Sequence, residues 1–329
     1  DAAVLATRGN LNNELGVPMT LLELTDAHGL AVIELGASHL GEIAYTRALA
    51  EPRIVLINNA GMAHAGEFGG PEHVVQAKGE ILDELPEESI AILNRDDAAF
   101  PIWSERSSAK RIVSFSHSSS AADFYARDVQ SQADGGTQFI LCTPHGETAV
   151  RLQLAGAHNV SNAIAAAAVA DCLGYELDTI VKGLQAMQPV AGRGVRHVLG
   201  KDSLLIDDSY NANPASMRAA IDVLSQQAGR RVLVLGEMGE LGDWAEVEHR
   251  SLGEYATGNV DALYAVGASM QHAVEAFAGE SQLFATQEQL TQFLLANTAG
   301  TTSYLIKGSR SAAMERVAEA LIDAYKGGF

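Results

Sequence analysis

Four short runs rich in Val, Ile and Leu punctuate the first half of the chain: "LAVIELGA", "RIVLINNA", "SIAILNRD" and "RIVSFS". Helical stretches such as "EIAYTRALAE" and "PEHVVQAKGEILDEL" lie between them. Runs this short and this apolar are strands covered on both faces. Strands that alternate with helices build a largely parallel sheet. The alternation breaks at "QPVAGRGVRHVLGKD", where Pro189, Gly192, Gly194 and Gly200 mark a domain junction. It then restarts with "SLLIDDS", "RRVLVLGE", "ALYAVGA", "QLFA" and "TSYLIKGS". The fold class expected is therefore α/β, with one domain over 1–189 and a second, Rossmann-like one over 190–329. Inside the first domain, "DFYARDVQSQADGGTQFILCTPHGETAVRLQLAG" alternates with period two and carries glycine turns, as a small antiparallel appendage would. Two helices are expected after it, "NVSNAIAAAAVADCLG" and "ELDTIVKGLQAM".

Composition narrows the function. The 329 residues hold 41 acidic against 22 basic side chains, a formal net charge of −19. That disfavours nonspecific binding to nucleic acid or insertion at an anionic membrane, both of which need a basic surface. A small anion needs only a local cluster, so it stays allowed. Cys142 and Cys172 are expected to be reduced, as in a cytoplasmic protein. No apolar run reaches membrane-spanning length, and the first residues are not expected to be a signal peptide. The chain opens at Asp1 in strand-like sequence, which suggests a start partway through a domain.

In sheets of this kind ligands sit beyond the carboxyl ends of the strands. Glu34, Asn58, His64, Asp207, Asp208 and the stretch Lys307 to Arg310 all fall there. "VLVLGEMGELG" lacks the glycine spacing of a dinucleotide fingerprint, and no G-x-x-x-x-G-K-[ST] phosphate loop occurs. "AHNVSNA" sets Asn159 and Asn162 three apart at a helix start, on one face. "IDDSYNANPAS" offers Asn213 as a cap and Pro214 as the first helical residue, which leaves Asp207, Asp208, Tyr210 and Asn211 without a structural task. "IKGSRSAAMERV" places Lys307, Ser309 and Arg310 at a turn suited to a carboxylate or phosphate. One residue is discordant. Lys78 lies among His64, Glu67, His73 and Glu80, in what would otherwise be a cation site, yet an ammonium has no acceptor.

Taken together, "GNLNNELGVPMTLL", "AVIELGASHLGEI", "NNAGMAHAGEFGG", "AKGEIL", "GAHNVSNAIAAAA", "AGR", "DDSYNANPASM" and "KGSRSAAMERV" resemble the Mur ligase family, in the family's order and over nearly the whole chain. The resemblance is strongest to the member that adds D-alanyl-D-alanine. It implies most of a central ATP-binding domain without its phosphate-loop start, followed by the C-terminal domain. The implied activity is ATP- and Mg2+-dependent amide formation. A UDP-N-acetylmuramoyl-tripeptide is joined to D-alanyl-D-alanine through an acyl phosphate, in the bacterial cytoplasm and by a monomer, with the 329 residues inactive alone. Two alternatives stand beside it: another Mur or folylpolyglutamate-type ligase, and a non-catalytic nucleotide-binding protein.

By the same resemblance Glu34 and His64 match magnesium-site residues. Lys78 matches a lysine carried as a carbamate, an anionic oxygen ligand that would remove the discord. Asn159, Asn162, Asp208 and Asn211 are assigned to the nucleotide, and Arg193 to the phosphates. Asn10, Asn12 and Asn13 are assigned to the peptide substrate, and Lys307, Ser309 and Arg310 to the dipeptide. Closure about Gly192–Gly194 is expected to assemble the site.

Overall fold

The computed structural model describes residues 3–61, 65–132, 134–200, 203–297 and 300–326. Elements in chain order are β1 (Ala3–Ala6), α1 (Gly16–Leu21), β2 (His28–Val32), α2 (Glu42–Ala50), β3 (Ile54–Ile57), α3 (Ala65–Phe68), α4 (Pro71–Gly79), β4 (Ile90–Asn94), α5 (Phe100–Arg106) and β5 (Arg111–Ser116). Then come β6 (Phe124–Ser131), β7 (Thr137–Thr143), β8 (Gly146–Leu152), α6 (Ala157–Cys172), α7 (Leu177–Ala186), β9 (Val195–Leu199), β10 (Ser203–Asp208), α8 (Pro214–Ser225), β11 (Arg230–Leu235) and α9 (Ala245–Ala256). The chain ends with β12 (Ala262–Val266), α10 (Gln271–Ala276), β13 (Glu280–Phe284), α11 (Gln287–Ala296), β14 (Thr302–Lys307) and α12 (Glu315–Lys326).

Two compact units result. One holds Asp1–Arg127, Ile140–Thr148 and Ser161–Lys182; the other holds Asp128–Phe139, Ala149–Val160 and Gly183–Phe329. The first sheet runs β3-β4-β5-β6-β7-β8, with β3, β4, β5 and β6 paired in parallel. Its core gathers Val55, Ile57, Leu82, Ala91, Leu93 and a fully buried Trp103.

Two expectations for this half need correction. The period-two region is no appendage. β6 pairs in parallel with β5, and β7 and β8 extend the same sheet as hairpin partners. The two-residue link between β7 and β8 leaves room only for an antiparallel return. The first strand-like run also stands apart: among the described residues, β2 pairs in parallel with β1 alone. Its burial is shallow, with Val32 55% exposed, unlike the buried β4.

The second sheet runs β13-β12-β11-β14-β10-β9, parallel throughout except for β9, which lies antiparallel to β10. The expected junction thus contributes an edge strand of its own. Alternation of side chains splits the apolar residues between two faces. Leu233, Leu235, Leu263 and Leu305 meet α8, α9 and α10 on one side. Val232, Val234, Tyr304 and Ile306 meet α11 and α12 on the other. This is the doubly wound arrangement, and it makes all five parallel strands end on one edge. Asn213 caps α8 in a reciprocal capping box with Ser216, and Pro214 opens the helix, as the sequence indicates.

Close approach decides one helix contact. A Cβ at Gly253 of α9 would lie 2.1 Å from the Ala273 carbonyl oxygen of α10, against backbone that cannot yield as a side chain would. Gly253→Ala is expected to force the helices apart and cost about 1–3 kcal/mol of stability. The check is the urea midpoint; an unchanged midpoint would show that the α9–α10 spacing is not set at Gly253.

Candidate active site

In the first unit, residues after β1 and β2 meet. Asn12 Nδ2 donates to Glu34 Oε1 at 2.9 Å, and the Gly36 amide donates to the Asn12 carbonyl at 2.7 Å. The Glu34 amide in turn donates to Thr7 Oγ1 at 2.9 Å. Glu34 is exposed but held by its neighbours. The Asn13 carboxamide oxygen accepts from the amides of Leu15 and Gly16, a capping task at the start of α1. Asn10 is exposed on the preceding turn.

Lys78 sits near the end of α4, and that end is anchored from α5. Trp103 Nε1 donates to the Val75 carbonyl at 3.0 Å, and Arg106 Nη1 to the Gln76 carbonyl at 2.6 Å. Arg106 also forms a two-pronged bond with Asp83, which raises the guanidinium's proton affinity further. Lys78 Nζ donates to the Asn59 carbonyl at 2.9 Å. Burial pushes the ammonium below the usual lysine range, and the Asp97 carboxylate opposes that shift. Glu80, two residues on, does something else. It is 8% exposed, and its oxygens accept from the amides of Gly41 and Ala44 at 2.7 and 3.1 Å, capping α2. Glu34 and Lys78 are thus bonded to Asn12 and Asn59 rather than to each other. His64 lies outside the described residues. Among the described residues, no group of three His, Cys, Asp or Glu is placed to hold a metal ion.

On α6, Asn162 accepts from Asn58 Nδ2 at 2.7 Å. Asn159 Nδ2 donates to the Ala155 carbonyl at 2.8 Å and lies 3.1 Å from His158 Nε2. The sequence reading passed over Asn94 and Asp97, which grip the loop after β3. Asn94 Nδ2 donates to the Asn58 carbonyl, and Asp97 Oδ2 accepts from the Ala60 amide. The signal was present in "AILNRDD", where polar residues close an otherwise buried strand.

In the second unit the ends of β10 and β14 are joined by Lys307, which is 3% exposed. Its Nζ donates to Asp208 Oδ2 at 2.6 Å, to the Asn211 carbonyl at 2.8 Å and to the Asp208 carbonyl at 3.5 Å. Three acceptors meet three donors, so this ammonium is engaged within the fold. The Asn211 side chain accepts from the Ala212 amide. Arg193 stacks over the Tyr210 ring at 4.2 Å, beside a bond from the Tyr210 amide to the Gly192 carbonyl. Tyr210 is the partner that fixes this arginine.

The loops after β11 and β14 are zipped together. The Gly236 amide donates to the Lys307 carbonyl and the Ser309 amide to the Glu237 carbonyl, each at 2.8 Å. Gly308 permits this closeness, since a Cβ there would stand 2.6 Å from Met314 Cγ. Ser309 is buried, with its hydroxyl 3.1 Å from that of Ser311. Arg310 is exposed and pairs with Glu315 at 2.9 Å. After Ser309 come a short 3-10 turn, Arg310–Ala312, and a positive φ at Ala313, and α12 begins only at Glu315.

Residues 1–170 match the family model described as the Mur ligase middle domain, and residues 192–310 that of the Mur ligase, glutamate ligase domain. The UDP-N-acetylmuramoyl-tripeptide–D-alanyl-D-alanine ligase of Escherichia coli K12 is 44% identical over 321 residues, spanning 96% of this chain and 70% of its own length. A crystal structure of MurF from Acinetobacter baumannii superposes with a TM-score of 0.92 at 41% identity, covering 98% of this chain and 71% of that one. The MurF ligase of Thermotoga maritima, solved in complex with ADP, matches with a TM-score of 0.87 at 26% identity, covering 99% of this chain and 75% of that one.

The Lys307 cluster makes its own prediction. Lys307→Met removes the partner of Asp208, whose side chain keeps 24% exposure. The expected loss of stability is about 3 kcal/mol, the low end for a broken buried pair. Equilibrium denaturation measures it, and a loss under about 1 kcal/mol would show that Lys307 is not the tie between β10 and β14.

Proposed function

The chain belongs to the Mur ligase family, and from that premise we propose that it forms the amide between the terminal carboxylate of a UDP-N-acetylmuramoyl-tripeptide and the amine of D-alanyl-D-alanine, using ATP. The observation that carries this reading is the 44% identity along almost the entire chain to a ligase of that activity. The chemistry has two steps. The carboxylate attacks the γ-phosphorus, ADP leaves, and an acyl phosphate forms. The dipeptide amine then adds to the acyl carbon, and the tetrahedral intermediate expels phosphate and releases a proton. Both steps crowd anions together, so positive charge and oriented donors must offset the repulsion.

The residues present suit that demand in part directly and in part after modification. Magnesium prefers oxygen ligands. The Asn12 bond engages one oxygen of Glu34 and leaves the other available. Lys78 joins such a site only as a carbamate, formed when its neutral amine takes up carbon dioxide and releases a proton. The carbamate nitrogen retains one hydrogen, which can keep the bond to the Asn59 carbonyl. In this reading Glu34, carbamylated Lys78 and His64 hold magnesium, which neutralises phosphate charge when bound. Asn159, Asn162, Asp208 and Asn211 serve the nucleotide, and Arg193, steadied by Tyr210, serves its phosphates. Asn10 and Asn12 face the peptide, with Asn13 shaping their turn. Ser309 and Arg310 serve the dipeptide carboxylate, with Lys307 tying the strand end that carries them to Asp208 and Asn211.

The 329 residues contain no G-x-x-x-x-G-K-[ST] segment, so we propose that they do not turn over alone. The test pairs two proteins: this chain, and a chimera that adds the part of the Escherichia coli ligase which the chain does not span. With ATP, tripeptide nucleotide and D-alanyl-D-alanine, phosphate release and amide product are expected from the chimera only. Product from a different acceptor amine in place of the dipeptide would instead support a sibling ligase. In the chimera, Lys78→Ala is expected to lower kcat at least a hundredfold. A short carboxylic acid in the buffer should restore part of it. Full activity in Lys78→Ala would remove the carbamate from the mechanism.

A further inference from the structure

We infer that Asn58 and Asn94 are positioning residues that set which way the Asn162 carboxamide faces, so that Asn162 presents a hydrogen-bond donor to the nucleotide. The inference rests on the proposal that Asn162 serves the nucleotide. The geometry begins at Asn94, 8% exposed at the end of β4. Its Nδ2 donates to the Asn58 carbonyl at 2.8 Å, and its Oδ1 accepts from the Asp96 amide at 2.9 Å. A carbonyl only accepts and an amide only donates, so the Asn94 orientation has one solution. The next peptide group, between Asn59 and Ala60, is held on both sides. Lys78 Nζ donates to the Asn59 carbonyl at 2.9 Å, and the Ala60 amide donates to Asp97 Oδ2 at 2.7 Å. Three consecutive residues at the end of β3 are thus pinned by side chains from α4 and from the end of β4.

That pinned backbone carries Asn58, whose Nδ2 donates to Asn162 Oδ1 at 2.7 Å. With its oxygen committed, Asn162 keeps its two Nδ2 hydrogens for a ligand, and Asn162 is exposed. A nucleotide meets it with an acceptor, such as a ring nitrogen, a ribose oxygen or a phosphate oxygen. Turned the other way, Asn162 would set its oxygen against that acceptor and leave a polar contact unmade, which is the costly case.

Asn58→Asp tests this directly. The new carboxylate accepts only, so Asn162 must turn to donate to it. In the 329-residue chain, the side-chain amide proton pair of Asn162 is expected to shift in a nitrogen–proton correlation spectrum. An unmoved pair would overturn the inference whatever the reaction proves to be. In the active chimera, Asn58→Asp is expected to raise KM for ATP about tenfold. The KM values for tripeptide nucleotide and dipeptide should hold, as should the melting temperature. Asn94→Asp keeps the bond from the Asp96 amide but sets a carboxylate oxygen against the Asn58 carbonyl in a nearly buried position, so it should move KM for ATP the same way. Equal rises in all three KM values, or an unchanged KM for ATP, would overturn the positioning role. A chimera that ligates nothing before mutation would count against the proposed function, while the spectrum of the chain alone still decides the orientation of Asn162.

Discussion

A strand can run parallel to its predecessor in the same sheet only after the chain has crossed back over one face of that sheet. In the second unit that constraint is obeyed four times, with α8, α9, α10 and α11 as the returning segments. Its consequence is directional. β10, β11, β12, β13 and β14 all finish on the same edge, and whatever follows each strand is delivered there. Asp208 and Lys307 close adjacent strands in register, which is why their side chains can meet at 2.6 Å. The Gly236 and Gly308 loops touch for the same reason, since β11 also pairs with β14.

Much of this was legible in the chain itself. The strand–helix alternation, the α/β fold class with parallel-dominated sheets and the Asn213–Pro214 helix start all follow from residue type and spacing. The first sheet misled in two places. The β6–β8 region has the period-two pattern of a two-faced strand, and nothing local distinguishes an added hairpin from an extension of the main sheet. Only the pairing of Phe115 and Ser116 with Phe124 and Tyr125 decides it. β2 has the apolar content of a central strand, but pairing partners, not composition, set where a strand lies.

Site residues were legible by position more than by task. Lys307 looked like a ligand because a lysine at a strand–helix turn usually reaches solvent, whereas here three acceptors within the fold surround it. Asn13 looked like one of three equivalent asparagines, yet its oxygen is spent on two backbone amides. Asn94 and Asp97 were missed for the converse reason. Their partners are backbone atoms more than thirty residues away, and sequence spacing has no means of announcing such a bond.

Glu80 shows what these distant ties imply for how the surface can vary. The stretch from Ser38 to Ala44 is exposed at His39, Leu40 and Gly41, where added residues are ordinarily tolerated. Its amides, however, are shared out. Those of Ser38 and His39 go to Glu42, and those of Gly41 and Ala44 go to Glu80, two positions from Lys78. A single added residue there would shift the register of the amides against two carboxylates at once, and the strain would arrive at the helix end that carries the lysine. An outer loop is in this way as intolerant of length change as a core strand.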